Sequence, residues 1–382
     1  MTIHRIPLIG NTLAKLPTTD LVLRRANFHE NRQIKFDNHK EWGGSLSKEQ
    51  YYEKCLAGNN VKVIHTTWTL VDKKDSQEIL SSCDLYTEDS IYTLGCKDKI
   101  LNNSLSNNGS NCTIKSMKSQ SISNVYVNPK HRGKGYASTM IQLLRENIQS
   151  KQRLFCDTLS IKGGSGSNGS KQFFGVKQGW IKMNSTFFKV IGTNDIDGLN
   201  TNGSDIHAIN NYNISSVVEK DYINTTNDLK RESIEYDNST MIFTKLFKVE
   251  NYHFHYVQSK LLCKYLNIKQ PTAFGYYIDN DISSYIIWGH DFSLNKLYIL
   301  KFYALNMNHF KILIEKARQE SANYKLDLIM NWSDSCSGYR AEYLASLLIE
   351  ESDFIPTVSP FSPASSSDST ISKFKWININ LA

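Results

Sequence analysis

Apolar residues recur along this chain with two different periods, which predict strands and helices in alternation. Four short segments near the start are rich in β-branched and aromatic residues and are predicted to be strands: residues 20–25, 61–65, 67–71 and 79–86. Residues 26–57 predict two helices interrupted at 42–44, and the second helix begins at a capping box formed by Ser47 and Gln50.

A strand, a turn and an amphipathic helix lie at the centre of the first half. Residues 122–127 alternate as a strand, and Pro129 ends this strand because proline has no N–H for the ladder. From residue 135 to residue 150, apolar residues return at helical spacing: Ala137, Met140, Ile141, Leu144 and Ile148. Residues 159–162 and 180–190 predict two further strands.

The second half repeats this mixture of elements. Its predicted order is a hairpin, a strand, a helix and a strand: residues 273–288, 296–304, 310–321 and 326–332. The sequence therefore predicts an α+β fold class with a mixed sheet in the first half and a second α+β domain after it.

Two polar segments divide the chain of 382 residues. Residues 97–121 and 193–240 are rich in Asn, Ser, Thr and Gly, a composition that buries too little apolar surface to offset the entropy of ordering. We expect the first to be a flexible hairpin loop and the second to be a polar linker. The predicted domains are residues 1–192 and residues 241–382.

Charge and cysteine usage exclude several classes of protein. The 44 Lys and Arg against 37 Asp and Glu give a net charge of +7, too weak an excess to predict a nucleic-acid partner. None of the seven cysteines forms a CxxC pair, so reduced thiols in the cytoplasm or nucleus are expected and no metal is predicted. No stretch of 18 apolar residues predicts a membrane partner, and the oligomeric state is left open.

The turn after the central strand carries the chemistry. Gly133 and Gly135 let backbone N–H groups approach a ligand closely, at a helix N-terminus that favours an anion. Lys130, Arg132 and Lys134 add positive charge to the same turn. This combination predicts a site for a pyrophosphate.

The spacing distinguishes between the known phosphate motifs. A dinucleotide GxGxxG motif fails at Ser138, and a GxxxxGK[ST] motif fails because Ser170 precedes Lys171. The chain instead contains Arg-x-x-Gly-x-Ala at Arg132, Gly135 and Ala137. In this it resembles motif A of the GCN5-related N-acetyltransferase (GNAT) superfamily, and the resemblance extends over residues 20–192.

This resemblance implies an acyl-CoA N-acyltransferase fold that binds acetyl-CoA. The implied cofactor-binding residues are those of the strand, those of the turn and one aromatic residue downstream: Val125, Tyr126, Val127, Arg132, Gly133, Lys134, Gly135, Tyr136, Ala137, Ser138 and Phe174. The turn would hold the pyrophosphate of coenzyme A, and the strand would receive the pantetheine arm and the acetyl carbonyl.

A narrower resemblance covers most of the chain. Trp42 and the hydrophobic strand motifs at 68–72, 79–86 and 286–288 are similar to those of the fungal lysine N6-acetyltransferase family. That family moves acetyl from acetyl-CoA to the side-chain amine of free lysine, so the resemblance implies a small cationic amine as substrate. A protein amine is the alternative substrate.

The catalytic groups are less complete than the binding groups. An amine needs a base and the reaction needs an oxyanion donor, which by analogy is the backbone N–H of Val125. Phe174 and its neighbours supply no tyrosine acid. Asp84 and Glu88, with Asp89, are the nearest candidate bases, although charges in a solvated turn are the more frequent reason for such residues. A CoA-binding regulatory or scaffold protein without catalysis is therefore the alternative function.

Two further features lie in the second half. His253 and His255 could share one face of a strand, but no third ligand accompanies them, so a metal site is not predicted. The turn at 305–308 has no glycine, which predicts a GNAT-like domain without cofactor, shaping the substrate side or mediating assembly. An independent module is the alternative. If the domain covers the 84–89 face, we expect deletion of residues 241–382 to preserve CoA binding and end amine selectivity.

Overall fold

The fold was analysed in a computed structural model, which describes ten stretches of the chain: residues 20–61, 64–97, 112–149, 154–160, 181–182, 187–191, 205–332, 348–350, 354–358 and 373–376. The predicted cofactor residue Phe174 lies outside the described residues, whereas the 305–308 turn lies within them. Within these stretches, every helix is too short or too polar to span a bilayer.

The first half follows the predicted order of elements. The strands are β1 (Leu21–Arg25), β2 (Ile64–Asp72), β3 (Ile79–Leu94), β4 (Lys115–Val127), β5 (Leu154–Ser160), β6 (Ile181–Lys182) and β7 (Phe187–Ile191). The helices are α1 (Phe28–Trp42), α2 (Lys48–Leu56) and α3 (Tyr136–Gln149), with 3₁₀ turns at Ala57–Val61 and Pro129–His131. The capping box of Ser47 and Gln50 is present at the start of α2, as predicted.

The second half contains three helices among nine described strands. The strands are β8 (Ile206–Ala208), β9 (Thr240–Lys245), β10 (Gly275–Ile278), β11 (Ser284–Asp291), β12 (Lys296–Tyr303), β13 (Leu328–Trp332), β14 (Leu348–Glu350), β15 (Phe354–Val358) and β16 (Lys373–Trp376). The helices are α4 (Ile214–Ser233), α5 (Val249–Leu266) and α6 (Met307–Asn323).

The described strands form two sheets. The first has the order β1-β2-β3-β4-β5-β15-β6, with β9 beside the far half of β3 and β16 beside β9. The second has the order β14-β7-β13-β12-β11-β10-β8. Each sheet contains one parallel pair joined through a helix, β4-α3-β5 in the first and β12-α6-β13 in the second. The predicted α+β fold class with a mixed sheet is confirmed.

Each half contributes strands to the sheet of the other half. β7 pairs with β13 and β14 in the second sheet, whereas β9, β15 and β16 complete the first sheet. Leu46 and Tyr51, which flank the start of α2, also pack into the core of the second sheet. The independent-module alternative is therefore wrong, and deleting residues 241–382 would remove three strands of the first sheet rather than only a substrate cover.

The polar segments are more ordered than their composition predicts. Residues 115–121 belong to β4 rather than to a loop, because backbone pairing with β3 and β5 compensates for small polar side chains such as Ser119. Residues 206–208 and 214–233 form a strand and a helix within the predicted linker. The buried face of that helix includes Asp221 and Thr225, so its period is not visible in hydrophobicity alone.

Four smaller expectations also change. Residues 180–190 split between β6 and β7, which lie in different sheets. The two strands predicted at 61–65 and 67–71 form the single strand β2. His253 and His255 lie in α5 and not on a strand. Cys96 and Cys112 form a disulfide where reduced thiols were predicted, because β3 and β4 run antiparallel and bring the two ends of the intervening segment together.

Candidate active site

A β-bulge interrupts β4 near its end. The pairing with β3 runs Ser82 with Tyr126 and then Asp84 with Ser123, so Asn124 and Val125 together face Cys83. Asn124 has a φ of 49°, a left-handed conformation that is uncommon for residues other than glycine. The extra residue changes the direction of the backbone groups that follow it.

The sheet opens beside this bulge. The parallel pairing between β4 and β5 ends at Ile122 with Asp157, although β4 continues to Val127. β5 continues along β15 instead, where Leu159 pairs with Ile355. Within the described residues, the β5-facing backbone of residues 123–127 thus borders an opening between strands, a place where an extended ligand can pair with the backbone.

The predicted glycine turn lies at the end of this opening and has the geometry that an anion cradle requires. Gly133 and Gly135 have φ values of 81° and 85°, which only glycine adopts without strain. The first bond into α3 runs from the Thr139 N–H to the Gly135 carbonyl at 3.1 Å, so the three preceding N–H groups have no acceptor within the helix. A Cβ on Gly133 would meet no atom within 4 Å, which leaves room for a pyrophosphate.

The basic side chains of the turn partly serve the protein itself. Arg132 donates from Nε to the Val127 carbonyl at 3.1 Å and forms an ion pair with Glu41 at 2.9 Å. Lys130 pairs with Glu78 at 2.6 Å, while Lys134 is exposed. The exposed cations and the helix N-terminus fit an anionic group, and Arg132 also fixes the strand end to the turn.

A buried polar cluster lies on the sheet face opposite α3. Its centre is Asp84, which accepts from the Lys35 ammonium at 2.5 Å and from the Thr67 hydroxyl at 2.7 Å. The Asn124 amide donates to the same carboxylate at 2.7 Å, and His65 Nε2 lies 3.1 Å from it. Lys35 and Asp84 are both 1% exposed.

The cluster holds Asp84 in its ionised form. Burial by itself would raise the pKa of this carboxyl, but the Lys35 charge and the donors from His65 and Asn124 outweigh burial and hold the pKa far below its usual range. The expectation of a solvated turn charge at the end of a strand is wrong, because β3 continues to Leu94 and Asp84 lies in its middle. Such a carboxylate is a weak proton acceptor.

The other two candidate acids are also neutralised. Glu88 lies 2.9 Å from the Lys245 ammonium and accepts from Ser121 at 2.8 Å. Asp89 pairs with Lys118 and Lys248. The expected acidic pocket at residues 84–89 is therefore contradicted, because each carboxylate there has a lysine partner.

The second half covers this face of the first sheet. Tyr86 lies 6.4 Å from Phe254 of α5, measured between ring centroids. Lys54 forms an ion pair with Asp291 at 3.0 Å and accepts at its carbonyl from Gln258. The second half thus packs over the 84–89 side of the first sheet and against α2.

Sequence reasoning missed several residues of the site: Lys35, His65, Thr67, Asn124 and Lys245. Lys35 lies on α1, a helix rich in polar residues where one more lysine gives no signal. The others lie on three different strands, so no sequence motif connects them. Asn124 before the motif was the one visible signal, since asparagine tolerates the left-handed region better than other side chains.

This chain is similar to known proteins in both family sequence and fold. Residues 194–372 match the family model described as the LYC1 GNAT-like C-terminal domain. A lysine acetyltransferase of Yarrowia lipolytica is 26% identical over 301 residues, which cover 71% of this chain and 73% of that protein.

Two solved structures share the fold. A probable N-acyltransferase of Enterococcus faecalis superposes with a TM-score of 0.50 at 10% identity, covering 88% of this chain and 72% of that one. The GCN5-related glucosamine N-acetyltransferase region of a fungal multi-domain β-N-acetylglucosaminidase gives a TM-score of 0.51 at 9% identity, covering 88% and 38% respectively.

The fold is that of the GNAT superfamily, with a second GNAT-like domain at the C-terminus, and the comparisons support an acetyltransferase of this type. More narrowly, the chain resembles the fungal lysine acetyltransferases.

Proposed function

We propose that this chain transfers acetyl from acetyl-CoA to the side-chain amine of lysine or of a similar small cationic amine. The observation that carries the proposal is the alignment of three features along β4: the bulge at Asn124, the opening after Ile122 and the glycine turn before α3. Together they give an extended ligand a backbone to pair with and an anion cradle at its end.

The residues of the turn would hold the pyrophosphate. Backbone N–H groups from Tyr136 to Ser138 supply donors at the helix N-terminus, and the exposed Lys134 supplies charge. In a ternary complex, the neutral amine would attack the thioester carbonyl of acetyl-CoA directly. The C–N bond would form as the C–S bond breaks, with coenzyme A leaving as its thiol and the amine proton passing to a base. The Val125 N–H, which the bulge redirects, would donate to the oxygen that becomes negative during attack.

The cover provided by the second half favours a small substrate over a polypeptide. Phe254 contacts Tyr86 of β3 and Asp291 contacts Lys54 of α2, and a face covered in this way restricts access to small molecules. The relative from Yarrowia lipolytica carries the name lysine acetyltransferase, which supports lysine as the first amine to test.

One observation favours a second candidate function. Asp84 and Glu88, the predicted bases, are both ion-paired with buried lysines. A protein with an intact cofactor cradle and neutralised acids would suit CoA-dependent regulation or scaffolding.

Release of free thiol from acetyl-CoA, measured with a panel of amines, tests these candidates together. The panel contains free lysine, ornithine, a lysine-containing peptide and a buffer blank, and mass spectrometry locates the acetyl group. Saturable release with lysine supports the proposal, and release with the peptide alone indicates a protein acetyltransferase. Coenzyme A binding by calorimetry without release from any amine indicates the regulatory function, and absence of binding contradicts the cradle.

A further inference from the structure

The bulge in β4 depends on an unfavourable backbone conformation. Asn124 has a φ of 49° near the end of β4, between Ser123 and Val125. A side chain beyond glycine pays a conformational cost in this region, and the cost is accepted only where surrounding contacts stabilise it. The contacts of Asn124 therefore determine whether the Val125 N–H keeps its direction.

The side chain of Asn124 is held by a buried carboxylate. Its Nδ2 donates to Oδ2 of Asp84 at 2.7 Å, and the same oxygen accepts from Lys35 Nζ at 2.5 Å. Oδ1 of Asp84 accepts from the Thr67 hydroxyl at 2.7 Å and lies 3.1 Å from His65 Nε2.

The surroundings of the carboxylate leave no access to it. Asp84 accepts hydrogen bonds from Lys35, Thr67 and Asn124, His65 Nε2 lies 3.1 Å from Oδ1, and the residue is 1% exposed. No position is left for an incoming amine, so the role first expected for Asp84, a general base, does not fit its surroundings.

We propose that Asp84 is a positioning residue: through Asn124 it fixes the bulge that directs the Val125 N–H toward the acetyl carbonyl, while Lys35 fixes Asp84. This inference rests on the proposed acetyl transfer, because it assigns a purpose to the direction of that N–H. It makes the conformation of Asn124, rather than its amide group as such, the quantity that matters.

Replacing Asn124 with glycine and with alanine tests the conformation. Both variants lose the bond to Asp84, but Asn124→Gly keeps access to positive φ and Asn124→Ala does not. We expect the free energy of unfolding and kcat to fall in the order wild type, Gly, Ala, with kcat of the Ala variant about tenfold below that of the Gly variant. The KM for the amine should change little in either variant. Equal kcat and equal stability of the two variants would overturn the inference.

Calorimetry supplies a readout that does not need turnover. If the Val125 N–H contacts the acetyl carbonyl, wild type should bind acetyl-CoA more tightly than coenzyme A, and Asn124→Ala should lose this difference while keeping its affinity for coenzyme A. Equal affinity for both ligands in the wild type would overturn the inference. If the wild type binds both yet acetylates no amine, the proposed function fails while the unfolding and calorimetric comparisons still decide the inference. If it binds neither, the order of unfolding stabilities decides whether Asn124 is held in this conformation.

The double variant Lys35→Met with Asp84→Asn separates positioning from proton transfer. The single variant Asp84→Asn would leave the Lys35 charge buried without its carboxylate partner, which destabilises a fold by itself. In the double variant, the new amide oxygen at position 84 can still accept from Asn124, but it cannot serve as a base. We expect kcat to fall, because Lys35 no longer fixes position 84, while the pH profile of kcat/KM keeps its shape, because no titrating base has been removed. Loss of all activity with the acetyl-CoA affinity retained would show that Asp84 transfers a proton.

Discussion

Within the described residues, the two halves contain the same strand irregularity, but only the first half has a glycine turn between that strand and the following helix. In the first sheet, Asn124 and Val125 oppose Cys83, and pairing with β5 ends before β4 does. In the second sheet, Ile287 pairs with Lys301 and Trp288 with Ile299, and pairing with β13 ends at Tyr298 although β12 continues. A shifted register and an opening between strands therefore belong to the fold in both halves.

The turn into the helix is where the halves differ. Asn306 precedes α6 and its side chain accepts from the His309 N–H at 2.9 Å, while the Leu305 N–H donates to Ser284 at 2.9 Å. The N–H groups of Leu305 and His309 therefore donate to side chains of the protein. In the first half, the N–H groups of residues 136–138 precede the first hydrogen bond of α3 and have no acceptor within that helix. The comparison indicates that the fold provides the opening in both halves, whereas the glycine turn belongs to the first half of the described residues.

Buried charge provides a second difference between the halves. Asp84 accepts three hydrogen bonds and lies 3.1 Å from His65 Nε2, whereas Asp221 of α4 lies 3.2 Å from Lys301 and accepts from the Tyr285 hydroxyl at 2.6 Å. Burial raises the pKa of Asp221 and its partners do not offset this, whereas the partners of Asp84 outweigh burial and lower its pKa. Two buried carboxylates with lysine partners thus respond to pH in opposite directions.

The largest expected effect is on stability, in the variants Asp84→Asn and Asp221→Asn. At pH 7, Asp84→Asn should lower the free energy of unfolding by about 3 kcal/mol, because it leaves the charge of Lys35 buried without its carboxylate partner. Asp221→Asn should cost less, because ionised Asp221 is disfavoured in the folded state. Urea unfolding of both variants beside the wild type measures the difference.

The same two variants should show opposite dependence on pH. Because the folded-state pKa of Asp84 is lowered, its ionised carboxylate stabilises the fold above the unfolded pKa of about 4, and this stabilisation is lost as pH falls. The difference in unfolding free energy between wild type and Asp84→Asn should therefore shrink in acid. Because the folded-state pKa of Asp221 is raised, its protonated carboxyl stabilises the fold at low pH, and this stabilisation is lost as pH rises. The difference in unfolding free energy between wild type and Asp221→Asn should therefore grow as pH falls toward 4. Parallel pH slopes would contradict the assignment.

The next effect concerns the cradle, tested by Gly135→Asp with Gly135→Asn as its isosteric control. Both side chains tolerate positive φ similarly, so they differ mainly in charge at the anion site. We expect the Asp variant to lower the affinity for coenzyme A by about a hundredfold and the Asn variant to lower it less. Calorimetry measures both, and equal affinities in the two variants would remove the anion cradle from the proposal.

A smaller effect is expected at the contact between the halves. Lys54 and Asp291 lie 3.0 Å apart with both side chains largely buried, and Lys54 lowers the pKa of Asp291 against the opposing effect of burial. A double-mutant cycle to alanine should give a coupling of about 1 kcal/mol at pH 7. The exposed pair Lys130–Glu78 serves as the control, with a coupling near zero expected.

The smallest effect separates the two helix starts. Asn306→Ala should lower the free energy of unfolding by about 1 kcal/mol, because α6 loses its side-chain cap. The affinity for coenzyme A should stay unchanged, since the second turn is expected to bind no cofactor. A fall in that affinity, measured by the same calorimetry, would mean that the second half contributes to the cofactor site.

Much of this molecule follows from local sequence. The apolar period of Met140, Ile141 and Leu144 predicts α3, and these side chains fill the core beneath the first sheet. Gly133 and Gly135 predict the turn because only glycine adopts their conformation without strain. These features depend on residues within a few positions of each other, which is why the sequence contains them.

Other features required the chain to fold back on itself. Asp84 is held in its ionised, buried position by donors from Lys35, Thr67 and Asn124, which lie on three different elements. The exchange of β7 for β9, β15 and β16 between the sheets joins residues more than a hundred positions apart. The sequence by itself determined α1, α2, α3 and α6, the glycine turn and the fold class, since these depend on local period and backbone freedom. The tertiary structure alone decided which carboxylates are buried and paired, because burial and charge pairing depend on partners that only packing brings together.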